Sequence, residues 1–222
     1  MLFLGFGSGL PYILLISTST AWLRDVNVDL SYIGFFTWIT FTYTFKFAWA
    51  PLVDRFSIPF LAQYGHRKSW IAFMQILIFL SLLFISNIDP IENFILFCIV
   101  GATIAFAGSI QDIAIDAFRI EYAHISDQGN LAASYQLGYR LAIIAATSIA
   151  LIFADINGWS MTFKLMAGLM CLGLLGVIFS KEEKNKELGK LNFINSIVEP
   201  LKDFFSGIGI FIGCIILLII TT

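Results

Sequence analysis

The sequence predicts an all-α integral membrane fold of six transmembrane helices, a charged linker and the start of a seventh helix. Three observations carry this prediction. Of the 222 residues, 59% are hydrophobic and the mean hydropathy is +0.87, more apolar material than the interior of a soluble domain of this size can hold. Charged residues make up 13%, against roughly 25% in an average soluble domain. The apolar runs reach the ~20 residues that a helix needs to cross a bilayer, and they lack the strict alternation of a barrel strand.

The spans fall in order at 2–23, 32–53, 70–87, 93–117, 131–154 and 159–180, and a seventh begins near Phe204 and runs to Thr222. The first is read as a span, because no basic segment or small-residue cleavage site marks a signal peptide. Gly5, Gly7, Gly9 and Pro11 make it irregular and permissive to bending, and Ser17 to Thr20 offer it a polar path or backbone-bonded hydroxyls. The second carries Lys46 and ends at Asp54. The third opens on GHRKSW, and the fourth ends in QDIAIDAFR. The fifth contains LGYRLA. Trp22, Trp49, Trp70 and Trp159 stand near span ends, as in interfacial belts. Cys98, Cys171 and Cys214 sit mid-span without metal or disulfide spacing and read as small buried apolar residues. Gly209 and Gly213 form a GxxxG pair.

Charge in the connections sets the expected orientation. Arg55, Arg67, Lys68, Arg119, Lys181, Lys184, Lys186, Lys190 and Lys202 fall in the loops 54–69, 118–130 and 181–203, while the loops of the other side hold only Arg24. The positive-inside bias then places the amino terminus in the cytoplasm. The connection 181–203, with EEKNKELGK, reads as a solvated linker. The expected domains are a six-helix bundle (1–180), this cytoplasmic linker (181–203) and the truncated start of a second half (204–222). The opening looks clipped, since Met1 stands almost inside a span.

Charges inside the spans point to function. In the fourth span Gly101, Ala105, Gly108, Asp112, Asp116 and Arg119 recur at helical spacing, a stripe of small residues ending in charge. A carboxylate in hydrocarbon costs at least ~2.5 kcal/mol on insertion scales, so Asp112 and Asp116 must face a water-filled path or a partner. In the fifth span Gln136, Arg140 and Thr147 share a face, and Arg140 lies about 13 Å into the membrane from Leu131. Lys46 lies at similar depth in the second span, with Thr42 on its face. These two cations and two carboxylates fall in one half of the bundle. One reading is a structural ion cluster locking helices two, four and five; the other is a site for an anionic substrate, a proton or both.

The loop 54–69, DRFSIPFLAQYGHRKSW, is a second constellation. Asp54 ends a helix, where an acid opposes the dipole and needs a cation. Arg55, Arg67 or Lys68 can supply one, either as a positive-inside anchor or as a charge latch; His66 reads as a solvated loop residue. Net charge is −2 and gives no sign of nucleic-acid binding. Neither HExxH nor a serine–histidine or serine–lysine arrangement is present, so the sequence predicts no enzyme, no metal and no cofactor.

These motifs resemble the major facilitator superfamily, and within it the AmpG-type muropeptide permeases. The matching segments are GFGSGLPYILLISTSTAWLRD (5–25), YTFKFAWAPLVDRF (43–56), GHRKSW (65–70), QDIAIDAFRIE (111–121) and LGYRLA (137–142). Acetyl-CoA transporters carry a related fourth-span pattern. The resemblance implies the amino-terminal half of a proton-driven importer of GlcNAc-anhydromuropeptides across a bacterial inner membrane, serving cell-wall recycling. By position it implies a substrate and proton pathway of Lys46, Gln111, Asp112, Asp116 and Arg140, and a gating loop of Asp54, Arg55, Gly65, Arg67 and Lys68. Partners would be the bilayer, the muropeptide, protons, and either a separately encoded carboxyl-terminal half or a second copy. Superfamily transporters bind substrate between two six-helix halves, so a truncated non-transporting remnant, or an importer of an acyl-CoA or sugar conjugate, is the alternative.

Overall fold

The computed structural model describes residues 1–56, 58, 65–122 and 126–180. The expected linker, the seventh helix, Cys214, the GxxxG pair, His124 and the side chain of Arg55 lie outside the described residues. The described residues belong to one unit, Met1–Lys184, and among them every regular element is helical. Six helical spans appear in the expected order: α1 (Leu2–Asp25), α2 (30–55), α3 (His66–Ile85), α4 (Phe94–Tyr122), α5 (Gln128–Asn157) and α6 (Trp159–Phe179). Five of them, all but α2, form continuous helices long and apolar enough to cross a membrane.

The second span departs from the single helix predicted over 32–53. It is built in series from Leu30–Thr37, a 3-10 turn Trp38–Thr40, Phe41–Thr44 and Lys46–Arg55, with Phe45 between the last two. Threonine accounts for much of this. The hydroxyls of Thr37, Thr40 and Thr42 each donate to the carbonyl three residues back, at 2.7 Å, and such back-bonding bends helices. Pro51 then withholds an N–H from the Phe47 carbonyl. Asp29 caps the start, its side chain accepting from the Ser31 N–H at 2.8 Å.

α1 and α5 each contain a π turn, at Leu14–Thr18 and Ala145–Ile149. The first follows Pro11, whose missing N–H is tolerated in membrane helices through such local adjustments. The two wide turns meet: the Thr18 hydroxyl donates to the Ala146 carbonyl. Glycine sets the rest of this interface. A Cβ on Gly138 would lie 2.9 Å from the Leu2 carbonyl carbon and the Phe6 nitrogen, and one on Gly5 would lie 2.8 Å from the Tyr135 carbonyl carbon. Backbones approach this closely only through small residues. Gly158, at φ 79°, ends α5 and starts α6 in one residue.

The core lies where α1 packs against α5 and α6, and where α3 packs against α4 and α6. Large apolar side chains also point outward, among them Trp38, Ile95, Ile152 and Phe179, as suits lipid contact. Two tryptophans expected in an interfacial belt are instead core. Trp22 is 5% exposed and packs against Phe97 and Phe163 with ring centroids at 5.3 and 5.0 Å. Trp70 is buried, and its indole N–H donates to the Phe56 carbonyl at 2.6 Å. Cys171, read as buried, is exposed on α6, and Cys98 is half-buried.

Candidate functional site

The small-residue stripe of α4 faces α2, as its composition requires. Gly101 lies against the ring of Phe36, and Gly108 lies under the hydroxyl of Tyr43. The missing Cβ at Gly108 admits the Tyr43 ring one turn before Asp112. Further along the stripe, Asp116 stands 3.8 Å from Lys46 Nζ and 3.5 Å from the Arg119 guanidinium. The Asp116 and Lys46 side chains are 41% and 46% exposed, so the pair contributes little to stability, about 0–1 kcal/mol. It does hold the Asp116 carboxyl between two cations.

Asp112 is held differently. The Ser8 hydroxyl of α1 donates to Asp112 Oδ1, and Ser8 Oγ lies 2.7 Å from the Tyr135 hydroxyl of α5. A serine hydroxyl has one proton. Since that proton goes to Asp112, Tyr135 must donate to Ser8. The result is a directed chain, Tyr135 to Ser8 to Asp112, across three helices. Among the described residues no cation lies within ion-pair distance of Asp112. The Arg119 guanidinium, paired with Asp116, lies 5.5 Å from the centre of the Tyr135 ring, within cation–π range. Tyr139 packs its ring on Gly9, and Tyr12 meets Tyr43 edge-on at 4.8 Å. A carboxylate bonded only to hydroxyls, beside one pinned by cations, can take up and give back a proton without breaking an ion pair.

Of the five residues expected along the pathway, the structure brings together Lys46, Asp112 and Asp116. Arg140 is exposed and makes no ion pair with the described residues, so in place of the expected four-charge cluster there is a three-charge one, Lys46–Asp116–Arg119, with Asp112 outside it. Gln111 is fully buried and its amide approaches Gly7 of α1. Sequence reasoning missed Ser8, Tyr43 and Tyr135 as site residues. Their signal was available: Ser8 is the one hydroxyl in the glycine run of α1, and Tyr135 and Tyr139 stand one turn apart just before Arg140.

The second constellation closes around Arg67, which is 8% exposed. Its guanidinium bonds Asp54 Oδ1 at 2.6 Å and Glu121 Oε1 at 3.0 Å, joining the ends of α2 and α4. Asp54 therefore finds its cation, and Glu121 is a partner the sequence did not single out. Lys68 donates to the Ser180 carbonyl at 2.7 Å, where a cation suits the end of α6. His66 is not simply solvated: its Nε2 lies 2.9 Å from the Val53 carbonyl, so that nitrogen carries the proton. Gly65 caps α3 at φ 120°, a conformation that only glycine adopts without strain. Among the described residues no cluster of histidine, cysteine or carboxylate side chains could hold a metal ion.

The sequence pattern of the Major Facilitator Superfamily matches residues 1–222. The chain belongs to the major facilitator superfamily. It is a multi-pass membrane protein of that superfamily, and within it the chain is similar to the AmpG-type permeases. It is 33% identical to a protein called putative transporter AmpG 4 from Rickettsia conorii, over 91% of this chain and 50% of that protein. It is 34% identical to the anhydromuropeptide permease of Escherichia coli K12, over 92% of this chain and 41% of that protein. A Haemophilus influenzae protein described as uncharacterized is 31% identical over 94% of this chain and 49% of its own length. The chain thus spans about half the length of these superfamily relatives.

Proposed function

We propose that this chain forms the amino-terminal six-helix bundle of a proton-driven importer of peptidoglycan fragments, GlcNAc-anhydromuropeptides. It would lie in a bacterial inner membrane with its amino terminus in the cytoplasm. The observation that carries this reading is the Tyr135–Ser8–Asp112 chain inside the membrane, in a protein similar to one named anhydromuropeptide permease. Asp112 takes and releases the coupling proton. Asp116 pairs with Lys46 and holds it at the same level. Lys46 and the exposed Arg140 offer positive charge to the carboxylates of a muropeptide. The Arg67–Asp54–Glu121 cluster ties α2 to α4 on the cytoplasmic side. Substrate would sit between this bundle and a second one, supplied by a separately encoded half or by a second copy.

The test is uptake of labelled GlcNAc-anhydromuropeptide by cells lacking their own permease. The chain is expressed alone and with the product of the adjacent downstream gene, with and without an uncoupler. Uncoupler-sensitive uptake in either arrangement supports the reading. Asp112→Asn should then reduce uptake on the order of a hundredfold, as loss of a proton-transfer group does. Absence of uptake in both, with the protein present in the membrane, overturns it.

A further inference from the structure

Gln75 on α3 and Gln111 on α4 are both fully buried, and neither amide has a hydrogen-bond partner in the structure. They approach one point on α1. A Cβ on Gly7 would lie 3.0 Å from Gln75 Nε2 and 3.6 Å from Gln111 Nε2, and one on Gly173 of α6 would lie 2.7 Å from Gln75 Nε2. Glycine at both places is what lets two amides enter the meeting point of four helices. A third polar group belongs to this point. Pro11 stands four residues after Gly7 and has no N–H to give to the Gly7 carbonyl. Two unpartnered amides therefore bring their nitrogens to one interior locus beside Gly7, whose carbonyl lacks its α-helical N–H partner. Buried polar groups of this kind are bonded in native proteins, to ordered water where no protein group reaches them.

We propose that Gln75, Gln111 and the Gly7 carbonyl bind one ordered water molecule that joins α1, α3 and α4 at the centre of the bundle. The ligand must accept from N–H groups and donate to C=O groups at once. Water does both, whereas a metal cation cannot accept a hydrogen bond. Both side chains are fully buried, so the ligand must be small. Water also suits the number of partners, since a buried water makes about three hydrogen bonds. This site is separate from the Ser8–Asp112 contact and does not rest on the transport reading.

The experiment is water-edited solid-state NMR on the full chain in lipid bilayers with ¹⁵N-labelled glutamine. The chain has five glutamines, at 63, 75, 111, 128 and 136. Gln75→Leu and Gln111→Leu assign the two buried signals, and the exposed Gln136 serves as the positive control. The expected result is transfer from water to both the Gln75 and Gln111 side-chain amides, with Gln75→Leu cutting the transfer to Gln111 at least by half. Transfer to Gln136 with none to Gln75 or Gln111 overturns the proposal. Transfer to Gln111 that is unchanged by Gln75→Leu overturns the shared site. Thermal melting gives a second readout that does not depend on assignment. A shared water predicts that the double leucine variant melts higher than the sum of the single losses implies, because no amide is then left unpaired. Strict additivity counts against it.

Discussion

On α4, Asp112 accepts a hydroxyl proton from Ser8 while Asp116, one turn on, sits between Lys46 and Arg119. The two carboxylates have the same chemistry and opposite surroundings, and their variants should separate accordingly. In infrared difference spectra recorded across a pH titration of the full chain, the carboxyl band that appears on protonation should vanish in Asp112→Asn and persist in Asp116→Asn. Tyr135→Phe removes the terminal donor of the chain but keeps the ring under Arg119. It should shift the Asp112 band while costing only about 1 kcal/mol of stability, read as a small loss in melting temperature. A band that is insensitive to Tyr135→Phe would mean that the relay does not reach Asp112.

At the scale of elements, the α1–α5 interface is set by glycine and by the meeting of two π turns. Gly138→Ala places a methyl against the backbone of Leu2 and Phe6, which cannot swing aside as a side chain can. It should cost about 1–3 kcal/mol, seen as a clear drop in melting temperature in detergent. Gly34→Ala, with nothing within 4 Å of the added atom, should leave melting unchanged. The start of α2 has a pH dependence of its own. The Ser31 backbone N–H, helped by its side chain, holds the Asp29 carboxyl below its ordinary value. A carboxyl lowered in the folded state contributes at neutral pH, and that contribution is lost as pH falls through the folded value. Amide protection factors at Ser31 and Ile33, exchange relative to the intrinsic rate at each pH, should therefore fall in acid, and Asp29→Ala should show the low protection at all pH values.

For the whole molecule, the decisive question is how the bundle sits in the membrane. The proposed orientation, argued from loop charge, predicts the loop 24–31 outside and the loop 118–130 inside. With the native cysteines replaced, Asn27→Cys should react with a membrane-impermeant maleimide in intact spheroplasts, and Asp127→Cys should react only after lysis. The reverse pattern would invert the proposed orientation and with it the side to which Asp112 opens. Arg67 acts on this scale too, since it joins α2, α3 and α4. Arg67→Met leaves Asp54 and Glu121 facing each other. Because both are near 40% exposed, the cost should be about 1–2 kcal/mol, well below that of breaking a fully buried pair, measured by denaturant or thermal unfolding.

Membrane class, the order and approximate bounds of six helices and membership of the superfamily were legible in the residues alone. These depend on composition, apolar run length and local motif, which are properties of contiguous residues. Asp112, Asp116, Lys46 and Arg67 were legible there too, because a charge in an apolar run is visible without knowing its neighbours. Which side chains meet is a matter of packing. Ser8 and Tyr135 lie 127 residues apart in the chain, and Glu121 lies 54 residues from Arg67; no local pattern encodes those contacts. The same holds for Trp22 and Trp70, whose place near a span end says nothing of whether a neighbouring helix covers them. The break in α2 arises between the two levels: its threonines and Pro51 are plain in the sequence, but hydropathy averages over a window and does not register backbone hydrogen bonds. Periodicity fixes which residues share a helix face, and packing alone fixes which face another helix meets.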